Sequence, residues 1–413
     1  MSPAGGVDPA VEFDRLWADL EPVGRDAGTG GYRRFAWGGA DLSLREWFAG
    51  EASRLGLALT EDAAGNQWAW WGDPDAAVAA GDPGVVIGSH LDSVPDGGAF
   101  DGPLGVVSAL VTIGSLRGAG FVPARPIGVV NFGDEEGARF GIACAGSRII
   151  TGALPAERAL ALTDADGVSM AEAIRAAGRP AERLGVDAVT VARVGSFVEL
   201  HVEQGRALAD PDLGLDAAVA VGTSIWPHGR WRFDLDGQAN HAGTTRLADR
   251  HDPMLAFAAA VQRARELATQ HGVLATCGKV KVEPNGVNAI PSRVTGWLDA
   301  RGGDPAAVRA LVSEFGSVVQ GLSGSVTEES WTPETFFDTE LSARLSQVLP
   351  DAPLLPTGAG HDAGILANAG VPTAMLFVRN PTGISHSPAE FAERDDCLAG
   401  VAALTDVVRE LAS

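Results

Sequence analysis

The amino-acid sequence predicts an α/β protein in which a smaller α+β domain interrupts a larger, metal-bearing catalytic domain. From about residue 66, apolar runs of strand length alternate with helix-length segments, which is typical of a mostly parallel sheet covered by helices. Between residues 213 and 328 the pattern changes to longer alternating strands and amphipathic helices. We therefore expect residues 1–212 and 329–413 to form the larger domain and residues 213–328 to form an inserted lid or dimerisation domain.

The first buried strands of the larger domain lead into polar residues. The apolar run at 85–88 is followed by His90, and the run at 127–132 is followed by three acidic residues at 134–136. Residues 103–116 between them predict a helix, because a proline suits its first position. Ligands bind outside the carboxyl ends of strands in open α/β sheets, so both polar clusters are candidates for a functional site.

The remaining segments extend this pattern to both ends of the chain. Residues 10–60 predict helices, and residues 371–378 predict a further strand of the larger domain before a last amphipathic helix. In the insert, two helices should begin at Asp252 and Asp304. Each aspartate precedes a proline, and this pair suits the N-cap and the first helical position.

Composition excludes several classes of partner. The chain has 413 residues and a net charge of −22, which repels nucleic acids and anionic membrane surfaces. Three widely spaced cysteines form neither a disulfide framework nor a CxxC metal site. We find no run of 18 apolar residues and no signal-peptide pattern at the N-terminus. We therefore expect a cytoplasmic enzyme or binding protein without a nucleic-acid or membrane partner.

Histidine and carboxylate side chains cluster at the ends of the predicted strands. His90 and Asp101 share one loop, the alternating strand 197–203 carries His201 on its polar face, and His386 lies in a later loop. Imidazole and carboxylate groups suit zinc, and a carboxylate can bridge two ions. Two metal ions about 3.5–4 Å apart activate water and polarise carbonyls in many hydrolases. The pattern therefore predicts a hydrolytic two-metal site.

The adjacent residues Glu135 and Glu136 can divide two roles between them. Neighbours at a strand end can direct one carboxylate to a metal and the other to the attacking water, where it acts as a general base. The alternative is a solvated acidic turn. Three further clusters of ligand-type residues at strand ends favour the catalytic interpretation.

Seven motifs extend this interpretation to a family. The sequence resembles the zinc-dependent amidohydrolases related to aminoacylases and carboxypeptidase G. Within them it is similar to the branch of allantoate amidohydrolase and N-carbamoyl-L-amino acid hydrolase. His201 supports this branch, since aminoacylase-like relatives usually carry an acidic residue there. In the family's order, the motifs are GSHLDSVPDGGAFDG, DEEGARF, ELHVEQG, NHAGTTRLADRHD, NAIPSRVTGWLDAR, TGAGHDA and GISHSP.

The resemblance implies two divalent metal ions per subunit, Zn²⁺ or Mn²⁺, and a homodimer. Asp101 would bridge the ions, His90 and His201 would complete one site, and Glu136 and His386 the other. Glu135 would be the general base. His241 would stabilise the oxyanion in the active site of the partner subunit.

The resemblance also implies a small-molecule substrate with a carboxylate. Arg301 would hold that carboxylate, and a bidentate arginine pair suits this role. The other implied substrate contacts are Gln204, His241, Asn288 and Gly358. Departures from the family pattern at Arg246, Thr357 and residues 221–230 spare the metal ligands and fall in the pocket.

The expected reaction is hydrolysis of the linear amide or ureido C–N bond of allantoate or an N-carbamoyl-L-amino acid, with release of CO₂ and ammonia. One alternative is an N-acyl or N-formyl amino acid amidohydrolase, or a dipeptidase, on the same scaffold. Another is a catalytically silent binding protein. We interpret Cys144 as buried packing, and we leave His361 open between a pocket-lining and a structural role.

Overall fold

The computed structural model describes residues 8–413 and divides the chain into two compact units. The first unit contains the chain up to Thr223 together with Phe336–Ser413, and the second is Ser224–Thr335. The second unit thus begins and ends later than the insert expected at 213–328. The boundaries follow strand pairing, since the first falls within the strand Val219–Ile225 of the large sheet and the second falls after the strand Gly324–Thr332 of the small one.

The first unit is built around a mixed sheet whose central strands are parallel. Its strands are β1 (Ala58–Glu61), β2 (Gln67–Trp71), β3 (Gly84–His90), β4 (Ile127–Phe132), β5 (Val194–Val202), β6 (Val219–Ile225), β13 (Thr335–Phe336), β14 (Leu354–Thr357) and β15 (Thr373–Val378). Their order is β1-β2-β4-β3-β5-β15-β6-β13, and β14 pairs with β6. β3 pairs in parallel with β4 and β5, and β5 with β15.

Eleven described α-helices of the first unit flank or extend this sheet. They are α1 (Pro9–Leu20), α2 (Gly39–Arg54), α3 (Pro74–Ala80), α4 (Pro103–Gly118), α5 (Ala145–Thr151), α6 (Ala156–Leu160), α7 (Met170–Ala176), α8 (Ala188–Ala192), α11 (Thr339–Val348), α12 (Asp362–Asn368) and α13 (Arg394–Leu411). β3, β4 and β15 are buried at every residue. Parallel strands covered on both faces are continuously apolar, which explains the runs seen in the sequence.

The second unit is an antiparallel sheet packed against two helices. Its strands are β7 (His228–Asp236), β8 (Asn240–His241), β9 (Leu274–Glu283), β10 (Ala289–Ile290), β11 (Arg293–Arg301) and β12 (Gly324–Thr332), and its helices are α9 (Pro253–His271) and α10 (Pro305–Gly321). The sheet order is β12-β7-β11-β9, and β8 pairs separately with β10. Phe233 of β7 packs edge-on against Phe315 of α10, with ring centroids 5.2 Å apart.

Several local predictions are confirmed in these elements. Asp252 accepts a hydrogen bond from the backbone N–H of Met254, and Asp304 accepts one from Ala306, so both aspartates cap the predicted helices. The helix predicted over 103–116 is α4. Within residues 8–413, no helix is both long and apolar enough to span a membrane.

Candidate metal centre

The predicted ligands converge at the carboxyl edge of the parallel strands. His90 ends β3, and its register partner Phe132 ends β4, so the acidic turn after β4 begins beside His90. His201 lies near the end of β5, where it pairs with Phe377 of β15. Asp101 lies just before α4. Parallel strands therefore bring residues distant in sequence to one edge.

Asp101 directs one carboxylate oxygen to each of two ligand groups. Its Oδ1 lies 3.1 Å from His201 Nε2 and 3.5 Å from His90 Nε2. Its Oδ2 lies 3.4 Å from His386 Nε2, which is 3.5 Å from Glu136 Oε2. In each group, the potential ligand atoms lie within 4.8 Å of one another. This arrangement suits a carboxylate shared between two cations.

The two buried histidines of the first group are oriented as metal ligands. His90 Nδ1 lies 3.2 Å from the carbonyl oxygen of Asp92, and His201 Nδ1 lies 2.8 Å from that of Val202. Among residues 8–413, neither Nε2 atom has a hydrogen-bond partner. A ring that donates from Nδ1 presents the Nε2 lone pair to a metal. The donor set therefore fits divalent metal ions.

Asp92 connects the loops after β3 and β4. Its Oδ1 accepts the backbone N–H of Glu135 and its Oδ2 that of Glu136, both at 3.1 Å. The same carboxylate lies 3.5 Å from His90 Nδ1. Sequence reasoning missed this role, although an aspartate two residues beyond a strand-end histidine was a signal for it.

Glu135 is a buried carboxyl group next to the first ligand group. Its Oε2 lies 3.7 Å from His90 Nε2, and its Oε1 accepts a hydrogen bond from the Cys144 thiol at 3.3 Å. Burial raises the pKa of Glu135 well above its usual range. Burial also raises the pKa of Glu136, to about 7. Cys144 is buried as expected, but its contact with Glu135 was not foreseen.

His361 lies against His201, with ring centroids 4.5 Å apart. Burial lowers the pKa of His361 well below its usual value, so this ring is neutral. Glu199 completes a third group of potential ligands with these two histidines. However, both Glu199 oxygens already accept hydrogen bonds, from Ser89 Oγ at 2.7 Å and from the backbone N–H of Ala363 at 3.0 Å. Glu199 therefore holds the start of α12 in place.

Two predicted substrate contacts lie in the first unit. Gln204 donates from Nε2 to Asp101 Oδ2 at 2.7 Å, so it touches the shared carboxylate directly. This contact was not foreseen from the sequence. Gly358 lies in the loop between β14 and α12 and is partly buried.

Three other predicted residues lie in the second unit. His241 is exposed, and its Nδ1 accepts the backbone N–H of Gly243 at 3.0 Å. A neutral ring held in this way carries its proton on Nε2. Asn288 is adjacent, since its carbonyl oxygen accepts the N–H of Ala242 at 2.9 Å. This unit therefore brings His241 and Asn288 together.

Arg301, also in the second unit, already contacts a carboxylate. Its Nε and Nη2 donate to the two oxygens of Asp299 at 2.8 and 2.7 Å. Residues two apart on a strand share a face, so the sequence contained the signal for this pair.

A comparison with models of known protein families assigns the chain to one family. The sequence profile of peptidase family M20/M25/M40 matches residues 86–410. The chain belongs to this family. The prediction of the family from seven motifs is thereby confirmed.

Relatives within the M20 family align across nearly the whole chain. The N-carbamoyl-L-amino acid amidohydrolase of Geobacillus stearothermophilus is 36% identical, with 97% of this chain and 99% of that protein covered. The allantoate amidohydrolase of Escherichia coli (strain K12) is 31% identical, with 98% of each covered. The crystal structure of a hydantoinase/carbamoylase family amidase from Burkholderia vietnamiensis has a TM-score of 0.86 at 29% identity, covering 100% of this chain and 99% of the other.

Membership of the M20 family and the names of these relatives establish the class of enzyme. The chain is a metal-dependent hydrolase that acts on linear amides. The predictions of fold class and enzyme class from the sequence are confirmed.

Proposed function

We propose that this enzyme cleaves a ureido C–N bond in a small carboxylate-bearing substrate, either an N-carbamoyl-L-amino acid or allantoate. The observation that carries the proposal is Asp101, whose two oxygens face two ligand groups with Glu135 beside them. The names of the two relatives specify the ureido chemistry.

Two divalent ions, Zn²⁺ or Mn²⁺, would occupy the centre. His90 and His201 would hold one ion, Glu136 and His386 would hold the other, and Asp101 would contact both. When bound, such ions polarise a carbonyl group and lower the pKa of water.

The residues of this chain supply the proton transfers. Glu135 takes a proton from water while the oxygen of that water bonds to the ureido carbon. His241 donates a hydrogen bond from Nε2 to the oxyanion that develops. The protonated Glu135 then gives its proton to the leaving nitrogen as the C–N bond breaks. The carbamate that is released decomposes to CO₂ and ammonia.

The substrate carboxylate binds to Arg301, with Asn288, Gln204 and Gly358 as further contacts. Asp299 orients the guanidinium through two hydrogen bonds. The substrate carboxylate competes with Asp299 for the N–H donors of Arg301, because either carboxylate can form a bidentate pair with the guanidinium.

The enzyme acts as a homodimer in which His241 serves the active site of the partner subunit. Support comes from its exposure and from the Gly243 contact that leaves the Nε2 proton available for donation. We propose that the enzyme is cytoplasmic. Its three cysteines are free thiols, and thiols stay reduced in that compartment.

An ammonia-release assay tests this function. The protein is stripped with a chelator, reloaded with Zn²⁺ or Mn²⁺, and offered allantoate, several N-carbamoyl-L-amino acids and N-formyl-glutamate, while N-acyl amino acids and dipeptides are assayed for release of the amino acid. We expect turnover of a ureido substrate in reloaded protein only. Turnover restricted to acyl, formyl or peptide substrates would favour the alternative amidohydrolase or dipeptidase. Metal-independent turnover would contradict the metal-centre proposal, and an absence of both metal and turnover would favour a silent binding protein.

A further inference from the structure

Glu390 connects the loops that carry Asp101 and His386. It is only 5% exposed. Its Oε1 accepts the backbone N–H groups of Phe100 and Asp101 at 2.8 and 2.9 Å. Its Oε2 accepts the hydroxyl of Ser385 at 3.0 Å. One buried carboxylate thus holds both segments at the point where each presents a ligand.

Ser385 extends this connection to the ligand itself. Its Oγ also lies 3.3 Å from Asp101 Oδ2, the oxygen that faces His386. A hydroxyl has one proton, so Glu390 and Asp101 share the same donor. The Ser385 hydroxyl lies closer to Glu390 than to Asp101. Glu390 is therefore the stronger competitor for the hydroxyl proton.

The loop before Asp101 is shaped around the Glu390 side chain. A Cβ atom added at Gly98 would lie 2.4 Å from Glu390 Cβ and 2.5 Å from its Oε1. The Glu390 side chain therefore packs against the Gly98 backbone, and a side chain at position 98 would collide with it.

We propose that Glu390 is a positioning residue that sets the metal affinity of the group formed by Asp101, Glu136 and His386. Partners that orient ligands contribute roughly 10–100-fold to metal affinity in other proteins. The inference rests on the proposed metal centre, and it is independent of which substrate is cleaved.

Zinc binding to stripped protein tests the proposal without any substrate. Competition with a chromophoric chelator measures the stoichiometry and the dissociation constants. In Glu390→Gln the amide oxygen can still accept from Phe100 and Asp101, but the amide nitrogen donates where a carboxylate oxygen accepted, so Ser385 loses its acceptor at position 390 and its proton turns to Asp101 Oδ2. We expect one of the two zinc ions to bind roughly 10–100-fold more weakly and the other to bind unchanged. Ser385→Ala should shift the same zinc ion by a smaller factor, because Glu390 keeps its backbone contacts.

Glu51→Gln is the matched control. Glu51 is a similarly buried glutamate, at 8% exposure, but its partners are Arg15 and Arg54 rather than a ligand loop. We expect this variant to melt at a lower temperature while binding zinc with wild-type affinity.

Three results would overturn the inference while leaving the proposed metal centre in place. The first is wild-type zinc affinity in Glu390→Gln, and the second is equal weakening in Glu51→Gln. If circular dichroism shows that Glu390→Gln is unfolded, the test passes to Ser385→Ala. Unchanged zinc affinity in Ser385→Ala is then the third result that overturns the inference. Wild-type protein that binds no zinc would instead overturn the proposed metal centre, and with it the inference.

Discussion

Asp101 shows how a single residue in the candidate centre is held in position by its neighbours. Gln204 donates to its Oδ2, and its own backbone N–H donates to Glu390. Its side chain is almost fully buried, so its orientation is set by these contacts rather than by water. The neighbours of Asp101 thus determine how each of its carboxylate oxygens is presented to the proposed metal ions.

Glu135→Gln should keep the metal ions and lose most of the activity. The substitution removes the proton acceptor but leaves the proposed ligands in place, and general-base catalysis contributes about 10²–10⁴-fold. Metal analysis and turnover should be measured on the same sample. Glu136→Gln is the control, because it should lower the metal content. A near-wild-type rate in Glu135→Gln would show that this carboxylate is not the base.

Cys144→Ala should lower kcat by up to about tenfold with little change in KM. It leaves the buried Oε1 of Glu135 without its donor, and an unsatisfied buried acceptor costs about 1–3 kcal/mol. Cys144→Ser retains a donor at the same position and should recover most of the rate. Steady-state kinetics of both variants test this, and identical rates in both would show that the contact has no effect.

At the scale of secondary structure, the turn into α4 brings backbone close to a ligand. Gly102 has φ +83°, and a Cβ atom there would lie 2.4 Å from His90 Cε1. A side chain at this position is therefore excluded both by the backbone conformation and by the imidazole ring. The glycine lets the loop that carries Asp101 pass directly over His90.

Gly102→Ala should weaken metal binding and lower the melting temperature. The added methyl group must displace the His90 ring, and holding another residue at φ +83° and ψ −58° costs about 1–3 kcal/mol. Gly120→Ala is the control, since Gly120 has φ +71° with open space around its Cβ position. Zinc titration should show weaker binding only in Gly102→Ala. Equal zinc affinity in the two variants would contradict the steric argument.

At the scale of the whole molecule, the residues proposed for the activity are divided between the two units. The metal ligands lie in the first unit, whereas His241, Asn288 and Arg301 lie in the second. In the proposed homodimer, His241 of one subunit serves the active site of the other. Losing a single oxyanion donor typically costs about 10²–10³-fold in rate.

Mixed dimers test this directly. His241→Ala and Glu135→Gln should each be inactive alone and regain activity when mixed and allowed to exchange subunits. One site of the mixed dimer then has an intact Glu135 and receives an intact His241. Turnover is compared before and after exchange, which native mass spectrometry verifies. Continued inactivity after verified exchange would mean that His241 acts within its own chain or has no catalytic role.

The amino-acid sequence by itself determined the features that depend on near neighbours. Apolar runs of strand length, Asp-Pro helix starts and the ligand-type residues after β3 and β4 are local patterns, and the structure contains each of them. The expected ligands also come together, because parallel strands end at one edge of a sheet. The motifs sufficed for the family because they occur in its order along most of the chain.

Only the tertiary structure decided which atoms meet. Glu390 reaches Asp101 across 289 positions of the sequence, and no local pattern links the two. Cys144 is directed at Glu135, and Arg301 already holds Asp299. The boundary of the second unit likewise depends on which sheet a strand joins. The direction of a buried side chain is set by packing and hydrogen bonding from several distant segments at once, and those partners are defined only when the chain is folded.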